Sequence, residues 1–262
     1  MNLVSNSESY KTFAWWKLLC LIAFINIILW SWVVATYEDT HSNFYIHATL
    51  SGVYILVCAF RSFFPRIDLE RYCLHDTPLS SIALGRTCAT LAEICFSIQC
   101  ALTVYSLAIA VNCTAITVVA YLIVPLVMIA QLFCWYATLT LNHFWHGIEE
   151  MTWVIMLILV GSCFLAGFFL LTPTHKILMA IGFISCLASI YIMLFIDIPM
   201  YLSRSKIHQR RLTFKEGISD ALLRRVHTKA WTVWKKEVLW LTSYFTFGVW
   251  LSISMVVIQF HS

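Results

Sequence analysis

The chain contains 262 residues, of which 61% are hydrophobic and only 11% charged, and its formal net charge is +4. Soluble domains usually carry about a quarter of their residues as charges, so this composition is typical of a protein that crosses a membrane several times. It excludes a nucleic-acid-binding protein, a dinucleotide-binding sheet domain and a secreted disulfide scaffold.

Seven apolar segments account for most of the chain. Each is about as long as the 20 or so apolar residues that cross the hydrocarbon core of a bilayer. They cover residues 14–36, 44–64, 82–111, 114–140, 146–171, 177–202 and 238–260. We therefore predict an all-α fold, a polytopic membrane helical bundle of about seven transmembrane helices that forms a single integral membrane domain over residues 1–262.

The first apolar segment bears on signal cleavage, and the cysteines bear on disulfide bonds and metal binding. Segment 14–36 ends without a small-residue cleavage site, so we expect it to remain as the first span rather than to be removed as a signal peptide. Most of the ten cysteines lie inside the predicted spans, where a thiol behaves as a small apolar residue, and no CxxC motif occurs. We predict neither a disulfide framework nor a cysteine metal site.

The basic residues predict the orientation of the chain in the membrane. Every Lys and Arg except Lys176 falls in the N-terminal tail, around the connection between spans two and three, or in the connection between spans six and seven. In a seven-span arrangement these regions share one side, which the positive-inside rule assigns to the cytoplasm. The N-terminus is thus expected in the cytoplasm and the C-terminus on the opposite side, in a cell inner membrane or an internal membrane.

Residues 203–237 form a basic amphipathic cytoplasmic segment between spans six and seven. Its apolar residues recur at close to the helical period, at Phe214, Ile218, Leu222, Val226, Ala230 and Val233. This pattern predicts an amphipathic helix on the inner leaflet, and a disordered basic loop is the alternative. The expected partners are the lipid bilayer and anionic lipid headgroups, and no nucleic acid.

Span three carries a polar stripe in which Arg86, Thr90, Glu93 and Ser97 share one helix face. Glu93 lies about 10 Å deeper than Arg86 at the helical rise, with no charge beside it in its own helix. We expect Glu93 to be protonated or paired across helices, because an ionised carboxylate is expensive inside a bilayer. It is a candidate catalytic acid or base, and a hydrogen bond to a neighbouring helix is the structural alternative.

A second polar group joins spans four and five. On a helix, His146 faces the same side as Glu149 or Glu150, and Asn142 extends that face. A histidine and a carboxylate at this spacing suit either a metal or an acid–base pair. One cluster of at most three ligands is a weak metal signature, so we predict acid–base chemistry and no metal. Interfacial packing of the histidines beside Trp145 is the structural alternative.

The inner end of span six carries Asp197 and, one helical turn later, Tyr201, with Pro199 between them. We interpret Asp197 as a catalytic carboxylate and Tyr201 as a residue that binds substrate. The structural alternative is an interfacial aspartate capped by the basic loop that follows.

Two arginines are candidates for binding an anionic group of the substrate. Arg61 lies inside span two, from which it is expected to reach Glu93 or the glutamates at 149–150, and Arg86 lies near the inner interface. The other charges of loop 61–78 include both signs and can pair with one another. We expect most of them to form solvated or lipid-facing ion pairs that contribute little to stability.

All these polar groups fall in the cytoplasmic half of the predicted bundle, which indicates a polar cavity open to the cytoplasm or the inner leaflet. We predict an intramembrane enzyme that acts on a lipid or isoprenoid-like substrate by carboxylate acid–base chemistry. The alternatives are a proton- or solute-linked transporter and a non-catalytic assembly or lipid-binding protein. The sequence indicates no particular cofactor. The predicted site residues are the catalytic Glu93, Glu149, Glu150, His146 and Asp197 and the substrate-binding Arg61, Arg86, Asn142 and Tyr201.

Overall fold

Seven helices are long and apolar enough to cross a membrane in the computed structural model, which describes residues 2–37, 43–171, 173–207 and 211–258. These spans are Ser7–Thr36, Phe44–Phe63, Ile82–Ala110, Thr114–Thr140, His143–Leu170, His175–Ile207 and Val238–Val257. The predicted all-α polytopic bundle is confirmed, and the chain is a multi-pass integral membrane protein. The end of the predicted seventh span, 259–260, lies outside the described residues.

The described residues form eleven α-helices. In chain order they are α1 (Asn2–Thr36), α2 (Phe44–Phe63), α3 (Ile82–Ala110), α4 (Thr114–Thr140), α5 (His143–Leu170), α6 (Pro173–Ile192), α7 (Ile198–Ile207), α8 (Phe214–Leu223), α9 (Trp231–Trp234), α10 (Val238–Ser243) and α11 (Val249–Val257). A π-helical turn at Met193–Asp197 joins α6 to α7 within span six, and another at Tyr244–Gly248 joins α10 to α11 within span seven.

The chain divides into two compact units, of which the first comprises Met1–Phe96 and Ile218–Val257. In this unit α1, α2 and the helices of span seven pack around an apolar core that includes Leu19, Tyr54 and Phe245. The burial of these side chains follows from the apolar composition of the spans, so the helices of this unit pack mainly through dispersion contacts.

The π-helical turn of span seven is held by α1. A π turn disrupts the regular ladder of backbone hydrogen bonds, and here the side-chain amide of Asn26 donates to the backbone oxygen of Phe245 at 2.8 Å. The indole N–H of Trp250 donates to Asn26 Oδ1 at 3.1 Å. Asn26, only 2% exposed, is thereby satisfied inside an apolar core.

A small three-stranded sheet belongs to the same unit. Strand β1 (Arg66–Ile67) pairs antiparallel with β2 (Tyr72–Cys73), and β2 pairs in parallel with β3 (Val226–His227). The sheet therefore ties the connection between spans two and three to the connection between spans six and seven. The indole of Trp234, which is fully buried, donates from its N–H to the backbone oxygen of Thr228 at 2.9 Å.

The continuous helix predicted from Phe214 onward is wrong beyond Leu223. The chain leaves the helix there because Val226–His227 forms strand pairs with β2, and those tertiary hydrogen bonds override the helical period of the apolar residues. Residues 208–210 of this segment lie outside the described residues. Its binding to anionic headgroups stays a prediction.

The solvated ion pairs predicted for loop 61–78 are also wrong for two of its arginines. Arg66 is 4% exposed and donates from Nη1 to the backbone oxygens of Leu79 and Ser81. Burial lowers the pKa of the Arg66 guanidinium to about 10. Arg71 is 1% exposed and forms an ion pair with Asp220 at 2.7 Å. The short strands fold the loop over these guanidinium groups and remove them from solvent.

The second unit comprises Ser97–Gly217 and Ile258–Ser262. In it α5 packs against α4 on one side and against α6, α7 and the π-helical turn of span six on the other. Small residues permit the close approach of α5 and α6, since a Cβ on Gly182 would lie 2.9 Å from the ring of Phe164.

The start of α8 is fixed by a capping box. Thr213 donates from its backbone N–H and from its hydroxyl to the carboxylate of Glu216, at 2.9 and 2.7 Å. These hydrogen bonds lower the pKa of the Glu216 carboxyl. The box places Gly217 directly against the backbone of Leu139 at the end of α4.

Gly217→Ala is expected to destabilise the protein by about 1–3 kcal/mol, although alanine favours a helix. A Cβ at this position would overlap the backbone carbonyl of Leu139, and backbone atoms cannot turn aside as a flexible side chain can. Equilibrium unfolding in detergent measures the effect. Ser219→Ala, on an exposed position of the same helix, serves as the control. An unchanged stability for Gly217→Ala would contradict this packing.

Candidate functional site

The structure divides the predicted site residues between the two units. The Glu93 cluster belongs to the first unit and consists of Tyr54, Arg61, Arg86, Glu93 and Tyr244. The His146 cluster belongs to the second unit and consists of Cys134, His143, His146, Glu149, Glu150, Asp197 and Tyr201.

A tight turn between α4 and α5 builds the His146 cluster. Leu141 ends α4 in the left-handed conformation at φ 57°, and Asn142 caps α5 by accepting a hydrogen bond on its side chain from the backbone N–H of Phe144 at 3.2 Å. The two helices therefore run back along each other from this turn. The contact gives Asn142 a structural role, and its predicted role in substrate binding stays a prediction.

His146 and Glu149 form a buried pair on α5. The imidazole Nδ1 lies 2.5 Å from a carboxylate oxygen of Glu149, and each residue is 6% exposed. The other ring nitrogen, Nε2, is buried and has no hydrogen-bond partner among the residues that the structure describes. The predicted pairing of His146 with a carboxylate one turn away is thus present, with Glu149 as the partner.

Cys134 on α4 faces this pair. Its Sγ, a ring nitrogen of His146 and a carboxylate oxygen of Glu149 all lie within 4.8 Å of one another, and Cys134 is fully buried. Cys134 was not among the predicted site residues, because a cysteine in an apolar span has the pattern of any small apolar residue. Its position in the sequence could have indicated the contact. Cys134 and Glu149 lie equally far from the turn between α4 and α5, so they stand side by side when the two helices pack antiparallel.

Tyr201 on α7 forms another side of the His146 cluster. Its ring stacks on His146, with centroids 5.0 Å apart, and on His143, with centroids 6.3 Å apart. Glu149, Glu150, Asp197 and Cys134 are all within electrostatic range of its hydroxyl. The structure therefore brings together the predicted Glu149, Glu150, Asp197 and Tyr201, and His143 joins them.

Asp197 is the last residue of the π-helical turn in span six. The side chains of Phe195 and Ile196 in the same turn are 66% and 52% exposed on the apolar outer surface. Asp197 is half-buried, and its Oδ2 is buried with no hydrogen-bond partner in the described part of the chain. Single π turns inside helices occur frequently at functional sites because they redirect one side chain out of the regular register.

The Glu93 cluster differs from its prediction in one respect. Arg86 donates from Nη2 to Glu93 Oε1 at 2.8 Å, so the expectation that Glu93 has no charge beside it in its own helix is wrong. The two residues are two helical turns apart, and the long arginine side chain bridges that distance along one face. Both side chains are largely buried, at 8% and 14% exposed.

Arg61 in the Glu93 cluster lies over aromatic rings. Its guanidinium carbon is 5.9 Å from the centroid of Tyr244 and 5.6 Å from that of Phe245, which are typical cation–π distances. The rings of Tyr54 and Tyr244 lie with their centroids 6.2 Å apart, and both residues are within electrostatic range of Glu93. Gly248 makes room for the Tyr54 hydroxyl, which would lie 2.5 Å from a Cβ at that position.

Glu93→Gln is expected to destabilise the protein by about 1–3 kcal/mol, because Arg86 exchanges a carboxylate for a weaker neutral acceptor. Equilibrium unfolding in detergent measures the effect. An unchanged stability would contradict a stabilising ion pair between Glu93 and Arg86.

Comparison of the chain with protein-family models, with curated protein sequences and with solved structures found no match.

Proposed function

We propose that this integral membrane protein is an intramembrane enzyme and that the His146 cluster is its catalytic centre. The substrate class is a lipid or an isoprenoid-like molecule, and the chemistry is acid–base catalysis by a carboxylate. The protein spans the membrane with apolar helices, so an apolar substrate that is dissolved in the bilayer has direct access to a centre within the spans.

One observation carries this proposal, the buried and unsatisfied carboxylate oxygen of Asp197. An ionisable side chain inside a bilayer costs about 2.5–3.5 kcal/mol on insertion scales. A π-helical turn places this one beside the cluster of His146, Glu149 and Glu150 instead of on the lipid-facing surface. Packing does not need such a group, because an apolar side chain would fill the same place without the electrostatic cost.

The roles follow from the contacts. We assign the proton exchange with the substrate to Asp197, because its Oδ2 is a buried acceptor without a hydrogen-bond partner among the described residues. Tyr201, one turn away, positions the substrate with its hydroxyl. His146 and Glu149, which bind one another, form the polar wall opposite Tyr201. The proposal places Glu93 and Arg86 outside the reacting centre as an ion pair.

Untargeted lipidomics of expressing cells tests the proposal. Cells that express the wild type are expected to show one lipid species depleted and another enriched relative to an empty vector. Cells with equal amounts of Asp197→Asn are expected to resemble the empty vector. Asp76→Asn makes the same chemical change at an exposed carboxylate and is expected to resemble the wild type. Identical lipid profiles for wild type and empty vector would count against an enzyme that acts on lipids of the expressing cells.

A transporter remains the second candidate, and the two π-helical turns favour it. Span six carries one and span seven the other, and transporters commonly bind their substrates where a transmembrane helix is interrupted. Proton-coupled uptake into proteoliposomes would support this candidate. Conversion of a lipid by purified protein without any solute gradient would favour the enzyme instead.

A further inference from the structure

We propose that Cys134, His146 and Glu149 form a binding site for a divalent metal ion of the zinc class. The inference rests on the proposed function, since it names the cofactor of the same centre. It reverses the expectation from the sequence that the chain holds no cysteine metal site, because the third ligand comes from another helix and not from a spacing motif.

The ligand atoms are already grouped. Cys134 Sγ, a ring nitrogen of His146 and a carboxylate oxygen of Glu149 lie within 4.8 Å of one another, and all three residues are buried. Zinc bonds of about 2.0–2.3 Å in a tetrahedral site require ligand atoms about 3.5 Å apart. The inference requires side-chain rotations on these two adjacent helices to bring the three atoms to that separation.

The unpartnered nitrogen of His146 points independently to a ligand. Nδ1 is in contact with Glu149, whereas Nε2 is buried without a partner in the described chain, although the residue is only 6% exposed. A buried imidazole nitrogen normally has a hydrogen-bond partner or a metal. The ring can thus present Nε2 to an ion and keep its contact with Glu149, or present Nδ1 in place of that contact.

Charge supplies the third argument. A thiolate from Cys134 and a carboxylate from Glu149 would place two negative charges in a buried site, which is unfavourable without a counter-ion. A divalent cation neutralises both charges, and thiolate, imidazole and carboxylate together are typical zinc ligands.

Three protein ligands leave a fourth position open, which is the arrangement of catalytic rather than structural zinc sites. Tyr201 stacks on the His146 ring, and Asp197 lies within electrostatic range of the Tyr201 hydroxyl. The bound ion would polarise a substrate oxygen or a water molecule, while Asp197 handles the proton.

The metal content of the purified, full-length protein in detergent tests the inference. After exposure to zinc and removal of unbound ion, the wild type is expected to retain about one zinc ion per chain. With cobalt, it is expected to show the thiolate-to-cobalt charge-transfer absorption. Cys134→Ser is expected to lose that absorption and to bind zinc more than about 100-fold more weakly, since even outer-shell partners contribute 10–100-fold.

Cys163→Ser is the matched control, because Cys163 is also a buried cysteine of the second unit and lies outside the proposed site. This variant is expected to bind zinc and cobalt as the wild type does. Equal loss in both variants, or no retained metal in the wild type, would overturn the inference. If Cys134→Ser does not fold, X-ray absorption at the zinc edge of the zinc-loaded wild type tests the site instead. One sulfur ligand on the zinc is expected, and the absence of a sulfur ligand would overturn the site.

The lipid assay separates this inference from the proposed function. Lipid conversion that survives both metal removal and Cys134→Ser would overturn the metal site and leave the enzyme intact. Zinc bound through Cys134 without any lipid conversion would support the metal site and count against the enzyme.

Discussion

Arg71→Met is expected to lower the free energy of unfolding by about 3–5 kcal/mol, the range for removing one partner of a buried ion pair. Arg71 is 1% exposed, and its Nε donates to Asp220 at 2.7 Å while Nη1 donates to the backbone oxygen of Asp68 at 2.7 Å. Methionine fills part of the volume but donates to neither acceptor, and Asp220 keeps only its longer, more exposed pair with Arg224 at 3.6 Å. The measurement is equilibrium unfolding in mixed detergent micelles.

Arg225→Met is the matched control for Arg71→Met. Arg225 also pairs with an aspartate, Asp76, but the two side chains are 26% and 64% exposed. Solvent screens such a pair, so its loss is expected to change stability by about 0–1 kcal/mol. Equal effects of the two substitutions would show that Arg71 does not hold the small sheet in the way the structure indicates.

Asp197→Asn is expected to slow lipid conversion by about 10²- to 10⁴-fold, the usual contribution of one general acid or base. Asparagine keeps the shape of the side chain and can still bind substrate, but it cannot exchange a proton at the same position. The stability of the variant is expected to be equal to or above that of the wild type, because a neutral amide is less costly to bury than a carboxylate. Initial rates on purified protein and unfolding in detergent measure these effects.

Two comparisons make the Asp197 result specific. Asp76→Asn is expected to keep the full rate, since Asp76 is an exposed carboxylate of the first unit. Tyr201→Phe is expected to raise KM more than it lowers kcat, because the hydroxyl positions the substrate in this account. A rate for Asp197→Asn within twofold of the wild type would remove Asp197 from the catalytic centre.

The spans could be predicted from the sequence because the physical constraint is simple. A helix that crosses a bilayer needs a long apolar run, and the seven runs are separated by charged connections. The His146–Glu149 pair could also be predicted, since two polar residues one turn apart share a face whatever the helix packs against.

The remaining features depend on tertiary structure. The burial of Arg71 requires β2 and α8, which are far apart in sequence. Cys134 becomes part of the His146 cluster only because Leu141 and Asn142 form a tight turn. The π-helical turn that carries Asp197 has no marker in the sequence.

Catalysis at the His146 cluster is tested most directly by lipid mass spectrometry of the purified wild type after incubation in vesicles of total membrane lipid. One lipid species is expected to decrease while a product increases by the same amount, and Asp197→Asn vesicles are expected to show neither change. The vesicles are made with membrane extracts from several sources and contain folded, zinc-treated wild type. If the lipid composition stays unchanged in all of them, the His146 cluster is not a catalytic centre.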